Sequence, residues 1–235
     1  MCGRKWRTAW EISLTRLRLR LAKMPVSNLP PRYNVAPTQT YEIVYRDAQG
    51  ERVMEPFRWG LIPTFMRDRK SAARCINARA ETIATLPSFR SAFGKRRCLV
   101  PASGYYEWKV TGPKTKQPYA IAATNADDML VFAGLWETWT DPETQEVVRT
   151  YSIATTEPGP DVVDVHDRQP VVLSPETWST WLGESAATKE ELLALLAPSP
   201  PGTLRAWPIG QAVGKVANDD PSLIEPIAMT EPRLL

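Results

Sequence analysis

Histidine and cysteine are nearly missing from this 235-residue chain, which has one His and three Cys. With a single imidazole and no Cys-x-x-Cys pair, it lacks the usual ligand sets of a structural zinc site. An odd cysteine count without paired spacing argues against a disulfide framework and fits a reducing compartment. Charge or proline interrupts every apolar run well short of a membrane span, and the N-terminus has no apolar signal-peptide core, so the expected location is the cytoplasm. A phosphate-cradling glycine loop, a zincin helix motif and a Gly-x-Ser-x-Gly elbow are also absent. Their absence disfavours ordinary nucleotide hydrolysis and α/β-hydrolase chemistry. No low-complexity linker or internal repeat divides the sequence, so residues 1–235 are expected to form one domain.

Proline, in contrast, is plentiful at 22 residues, and charge is distributed unevenly. Residues 1–110 carry 21 Lys/Arg against 8 Asp/Glu, a net of +13, whereas residues 111–235 carry 8 against 18, a net of −10. The stretch from Arg67 to Arg97 holds nine basic side chains and only Asp68 and Glu81 as acids. Such asymmetry either cancels across the folded surface or forms a basic face for a phosphate backbone.

Trp10, Leu14, Leu17 and Leu21 recur at helical spacing with Arg16, Arg18 and Arg20 between them, which predicts a basic amphipathic helix near 8–23. Prolines at 30, 31 and 37 predict an ordered loop over 30–37 leading into a strand at 41–45. Short β-branched or aromatic runs predict further strands at 53–59, 99–100, 105–109, 119–123, 129–136, 150–156 and 171–173. Ser174-Pro175 should open a helix ending near Gly183, and Thr188 with Glu191 forms a capping-box pattern before Leu192 to Leu196. Strands outnumber helices without alternating regularly with them, so the expected class is α+β.

Four places in the sequence can carry chemistry. Cys2 follows Met1; a cysteine that merely falls second is the plainer alternative, while removal of the initiator would expose a 1,2-aminothiol. Its α-amine and thiol have ordinary pKa values of ~7.7–8 and ~8.5, so both have reactive fractions near neutrality. Glu107 lies among aromatics in Tyr105-Tyr106-Glu107-Trp108. Desolvation there would suit it to proton transfer, while an exposed strand carboxylate is the plainer alternative. Asn77 and Arg79 share a face if their segment is extended, so an amide could orient a nucleophile while a guanidinium held a phosphate; a solvent-facing pair is the alternative. His166 is the one side chain with an ordinary pKa near 7, although a lone loop histidine is more often structural. Phe65-Met66, just before the basic run, could wedge between bases or plug a core, and core is the simpler reading.

These segments together resemble the SOS-response-associated peptidase family, also described as abasic-site processing proteins. The resemblance rests on Cys2-Gly3-Arg4, Arg32 to Pro37, Trp59-Gly60-Leu61-Ile62-Pro63, Asn77 to Thr82, Gly104 to Trp108 and His166 to Pro170, continuing through Ala212 to Pro226. It implies one α+β domain built on a curved, barrel-like, largely antiparallel sheet flanked by helices, with a basic groove for single-stranded DNA. It implies Cys2 as a nucleophile that forms a covalent thiazolidine with the aldehyde of an abasic site, Asn77 as its positioning partner, Glu107 as proton shuttle and His166 as a second acid/base group. Arg79 and Arg168 would lie near phosphates, with Gly3, Arg4, Asn34, Phe65, Met66 and Trp108 also at the DNA surface. No cofactor or metal is implied, and the expected protein is a monomer that is nucleoid-associated when bound. An N-terminal-nucleophile peptidase and a noncatalytic single-strand-binding module are the competing readings. Lys5 departs from the family pattern, which usually has an aromatic residue there, and residues 5–28 do not align.

Overall fold

The computed structural model describes residues 3–8 and 29–228. Cys2, and all but Thr8 of the basic segment expected at 8–23, lie outside them. In chain order the elements are β1 (Arg4–Arg7), β2 (Arg32–Val35), β3 (Thr40–Arg46), β4 (Arg52–Trp59), β5 (Asn77–Arg79), α1 (Arg90–Lys95), β6 (Arg97–Ala102) and β7 (Gly104–Gly112). There follow β8 (Thr115–Ala123), β9 (Leu130–Thr140), β10 (Val147–Thr156), β11 (Gln169–Pro170), α2 (Trp178–Leu182), α3 (Lys189–Ala194) and β12 (Leu204–Pro208). Among the described residues no helix is long and apolar enough to cross a membrane.

Five strands close on themselves in the order β10-β4-β3-β6-β9, because β9 pairs back onto β10 from Val147–Thr140 to Ile153–Gly134. Closure removes the exposed edges that a flat sheet would leave. All its pairings are antiparallel except β10 with β4. β5 and β11 add to β10, and a second antiparallel sheet runs β12-β8-β7-β1-β2. The expected α+β class and barrel-like sheet are therefore present.

Both faces of the barrel strands are buried, which explains near-continuous apolar runs such as Cys98-Leu99-Val100 and Val131-Phe132-Ala133. One face presents Tyr41, Phe57, Trp59, Phe132, Tyr151 and Ile153, packed with Val35, Tyr105 and Ile121 of the second sheet. The other presents Val44, Leu99, Val131 and Ala154 to Trp178, Trp181 and Leu192 of the helices. Gly183, with φ +78°, ends α2 in the left-handed conformation that glycine adopts without steric cost. Thr188 and Glu191 form the expected capping box of α3.

Two expectations change. The proline-rich loop contains β2, an edge strand whose non-proline centre pairs with β1 while prolines flank it. The strand expected at 171–173 reduces to Gln169–Pro170 plus an isolated bridge between Val172 and Phe132. The charge asymmetry is partly consumed internally: Arg32–Asp219, Arg52–Glu184, Arg69–Asp141 and Arg96–Glu137 each join the basic half to the acidic half.

β1 lies on β7 because Gly104 lets an indole cross it. A Cβ at Gly104 would sit 2.2 Å from the Trp6 ring and 2.5 Å from the Ile121 carbonyl oxygen, and Trp6 packs tilted against Tyr106 with ring centroids 4.7 Å apart. Gly104→Ala should therefore lower stability by ~2–3 kcal/mol through overpacking. Urea denaturation measures this, and an unchanged midpoint would contradict the packing assigned to Trp6.

Candidate active site

The site is set by strand register. Arg4 stands opposite Tyr106, Lys5 opposite Tyr105 and Trp6 opposite Gly104. The antiparallel ladder ends at Arg4–Tyr106, and Glu107 is the next residue of β7. Cys2 is two residues from Arg4, a chain length of at most ~7 Å.

Glu107 is not an exposed strand carboxylate. It is only 2% exposed, and burial raises its carboxyl from the usual 4.5 to about 7. His166 faces it, with Nε2 3.7 Å from a Glu107 carboxylate oxygen. Burial also pulls the His166 imidazole below its ordinary value. At His166 Nδ1 the Arg168 backbone N–H donates at 3.1 Å, while an Asp167 carboxylate oxygen lies at 2.8 Å. The first contact favours an unprotonated Nδ1 and the second a protonated one, so the ring sits between two states. A half-protonated acid beside a neutral imidazole is suited to moving protons near pH 7.

The other two motifs meet at the end of β10. Asn77 pairs with Ile153 and Arg79 with Thr155, while β11 adds Gln169 opposite Thr156. Asn77 is buried and Arg79 exposed. Arg168 is fastened more tightly. Its Nη2 donates to the Thr155 carbonyl at 2.7 Å and to Glu81 at 3.0 Å, and its Nη1 also donates to Glu81. A phosphate at Arg168 would have to share it with Glu81.

The remaining candidates separate. Phe65 is 58% exposed, so a purely core role is excluded for it, whereas Met66 packs partly against Ile62, Ala72 and Trp139. Trp108 and His166 line a groove of about 670 Å³ together with Lys109, Val110, Lys116 and Val163. Gly3 is half-buried at the entry to β1. Asn34 requires a correction as a DNA contact. It is fully buried, its Nδ2 faces the Val213, Lys215 and Asn218 carbonyls at 3.1, 3.0 and 2.9 Å, and its Oδ1 accepts from Arg4 at 3.0 Å. Arg4 also donates to the Val213 carbonyl at 3.0 Å. Both side chains fasten the 213–218 segment to the strands beside the site.

Sequence patterning missed the partnership of Glu81 with Arg168, since Glu81 reads as a stray acid in a basic stretch. It also missed the burial of Lys5. No alternation marks Arg4-Lys5-Trp6-Arg7, and a lysine is expected to face solvent.

A sequence profile described as SOS response associated peptidase (SRAP) matches residues 1–216. Abasic site processing protein YoqW of Bacillus subtilis is 38% identical over 202 residues, covering 86% of this chain and 89% of that protein. Abasic site processing protein HMCES of Pongo abelii is 29% identical over 233 residues, covering 84% of this chain and 65% of that protein. A crystal structure of a protein from Bacteroides thetaiotaomicron superposes with a TM-score of 0.75 at 31% identity, covering 85% of this chain and 87% of that one.

Two outcomes follow from this geometry. The folded Glu107 carboxyl titrates near 7 and the unfolded one near 4.5. Between those values the folded chain holds the extra proton, so stability falls as pH rises. Glu107→Gln removes that titration and should gain on wild type across the window, by up to roughly 3 kcal/mol above pH 7. Denaturation midpoints from pH 4 to 8 measure it, and parallel curves would contradict a buried acid. Asn34→Ala should cost ~2–3 kcal/mol because it leaves buried carbonyls and Arg4 without their amide. The folded fraction should keep its affinity for single-stranded oligonucleotides, measured by anisotropy, and a selective loss of affinity at unchanged stability would restore Asn34 as a DNA contact.

Proposed function

Because the chain belongs to the SOS response associated peptidase family, we propose that it processes abasic sites in single-stranded DNA through a covalent bond to Cys2. The observation that supports this reading is the buried Glu107–His166 pair next to Tyr106, the residue that β1 pairs with Arg4. The names of the similar Bacillus and Pongo proteins support the lesion as substrate.

The chemistry follows from groups at hand. With Met1 removed, the neutral Cys2 amine adds to the sugar aldehyde to give a carbinolamine. Protonated Glu107 donates to the departing hydroxyl, and water leaves as the imine forms. The Cys2 sulfur then adds to the imine carbon while the nitrogen regains a proton, closing a thiazolidine. One water is lost in total, and no electron transfer occurs. Neutral His166 can accept a proton from the sugar or return one to Glu107. Asn77, buried on β5, is the proposed positioning partner of Cys2. Arg79 supplies charge for the phosphates, Arg168 does so only in exchange with Glu81, and exposed Phe65 supplies a surface against a base.

The test uses homogeneous protein with Met1 removed, Met1-retained protein and a single-stranded oligonucleotide bearing one abasic site. Mature protein should gain the oligonucleotide mass less one water, and the bond should survive heating without reductant. Met1-retained protein should give no such product, because its nitrogen is an amide with a delocalised lone pair. An equally stable crosslink from Met1-retained protein would overturn the mechanism. Peptide cleavage without DNA would favour an N-terminal-nucleophile peptidase, and reversible retention alone a binding module.

A further inference from the structure

Glu107 is only 2% exposed, yet a proton carrier has to gain and lose protons, so it needs a route to water. His166 stands on that route. On one side the ring's Nε2 is 3.7 Å from a Glu107 carboxylate oxygen, and on the other its Nδ1 is 2.8 Å from an Asp167 carboxylate oxygen. The Asp167 side chain is 87% exposed. It lines the groove of about 670 Å³ together with His166, so carboxylate and ring open onto the same space. Lys109, Asp164 and Lys116 line that groove too, and the charge of Lys116, on β8, works against a second proton on the ring.

The two contacts at Nδ1 exclude each other. A carboxylate oxygen and a bare ring nitrogen both present lone pairs, which repel at 2.8 Å, so this contact requires a proton on one of the two atoms. The Arg168 backbone N–H, 3.1 Å away, requires Nδ1 to be bare. In a neutral imidazole only one nitrogen carries hydrogen, and the partner of one nitrogen fixes the state of the other. Held by Asp167, the ring has its hydrogen on Nδ1 and turns an Nε2 lone pair to Glu107. Held by the Arg168 N–H, it has its hydrogen on Nε2 and turns a donor to Glu107. The contact with Asp167 is shorter and charge-assisted, so it takes precedence.

We propose that Asp167 is a positioning residue for His166: its carboxylate holds the ring hydrogen on Nδ1, keeps Nε2 facing Glu107 as an acceptor, and links that buried acid to water. The transfer builds no charge on the ring. Nε2 takes the Glu107 proton as the Nδ1 hydrogen passes to Asp167. This leaves a Glu107 carboxylate, a neutral ring with its hydrogen on Nε2, and a protonated Asp167 that gives its proton to water in the groove. The bare Nδ1 then receives the Arg168 N–H. Run backwards, the same steps return a proton from water to Glu107. The proposal rests on the reading of Glu107 as the proton carrier, and adds the residue that sets which way the hydrogen points between Glu107 and His166.

His166 is the one histidine of the sequence, so a nitrogen-15 label in histidine reports this ring alone, without DNA. Ring-nitrogen spectra of the full chain are recorded at about pH 8, above the ordinary imidazole pKa of ~6.5, for wild type, Asp167→Ala, Asp167→Asn and Asp167→Glu. Wild type and Asp167→Glu should carry the hydrogen on Nδ1, and Asp167→Ala should move it to Nε2. Asparagine offers Nδ1 an oxygen but takes up no proton, so Asp167→Asn should keep the wild-type tautomer. In single-turnover crosslinking to abasic single-stranded DNA, Asp167→Ala and Asp167→Asn should both be about tenfold slower than wild type, a part of the ~10²–10⁴ that general acid–base catalysis contributes. Asp167→Glu should recover most of the rate. A wild-type hydrogen on Nε2, or one tautomer shared by wild type and Asp167→Ala, would overturn the proposal, as would a wild-type rate in Asp167→Asn. Failure of wild type to crosslink abasic DNA would sink the functional reading while leaving the tautomer readable.

Discussion

Three residue pairs, Arg4–Tyr106, Lys5–Tyr105 and Trp6–Gly104, hold the first strand against β7. Everything proposed for the site depends on this register. A slip of one residue would turn Lys5 and Arg7 away from the aromatic face and push Trp6 into it. The register is locked from several sides: Trp6 occupies the space a Cβ would take at Gly104, Arg4 is tied to Asn34 and Val213, and the Ser103 N–H donates to the Trp6 carbonyl at 2.9 Å. The short strand is thereby fixed to the second sheet, and the second sheet to the closed barrel through the shared aromatic cluster.

The barrel in turn explains why distant motifs converge. β10 accepts β4 and β5 in parallel and β11 in antiparallel, so Asn77, Arg79 and the His166–Arg168 segment gather at one strand end. Short β5 and β11 need no core of their own because β10 supplies their backbone partners. The functional groups then differ by environment more than by type. Glu107 is buried and holds its proton to about pH 7, whereas Glu81 is largely exposed and held below its usual value by Arg168. Two glutamates are thus displaced in opposite directions, Glu81 as the partner of a guanidinium and Glu107 as the proposed proton carrier.

Much of this organisation was legible in the sequence. The barrel strands carry aromatic and β-branched runs that fit a pleated sheet buried on both faces, and the capping box of α3 and Gly183 of α2 are local signals that tertiary packing did not override. β1 and β2 were not legible, since Arg-Lys-Trp-Arg has no alternation and β2 is hemmed by prolines. Helix α1 has six residues and no side-chain cap, so it leaves no start signal. At the site, Cys2 lies outside the described residues, and the aromatic neighbours of Glu107 left a desolvated acid and an exposed strand carboxylate both open, which its burial decides. Asn34 was misread because an amide in a recurrent motif suits a ligand contact as well as a buried fastening. Phe65 and Met66 were inseparable in sequence, yet a turn closed by the Met66 N–H on the Pro63 carbonyl, at 3.0 Å, sends one to solvent and the other toward Trp139.

The central claim is that the mature N-terminal nitrogen and sulfur of Cys2 end on the same carbon of the lesion. An oligonucleotide carrying carbon-13 at the aldehyde carbon of a single abasic site reports this directly. After reaction with mature protein, the account predicts one tetrahedral carbon resonance that couples to a labelled Cys2 nitrogen and persists through heating. A trigonal carbon that disappears on heating, or a tetrahedral carbon without coupling to that nitrogen, would contradict it.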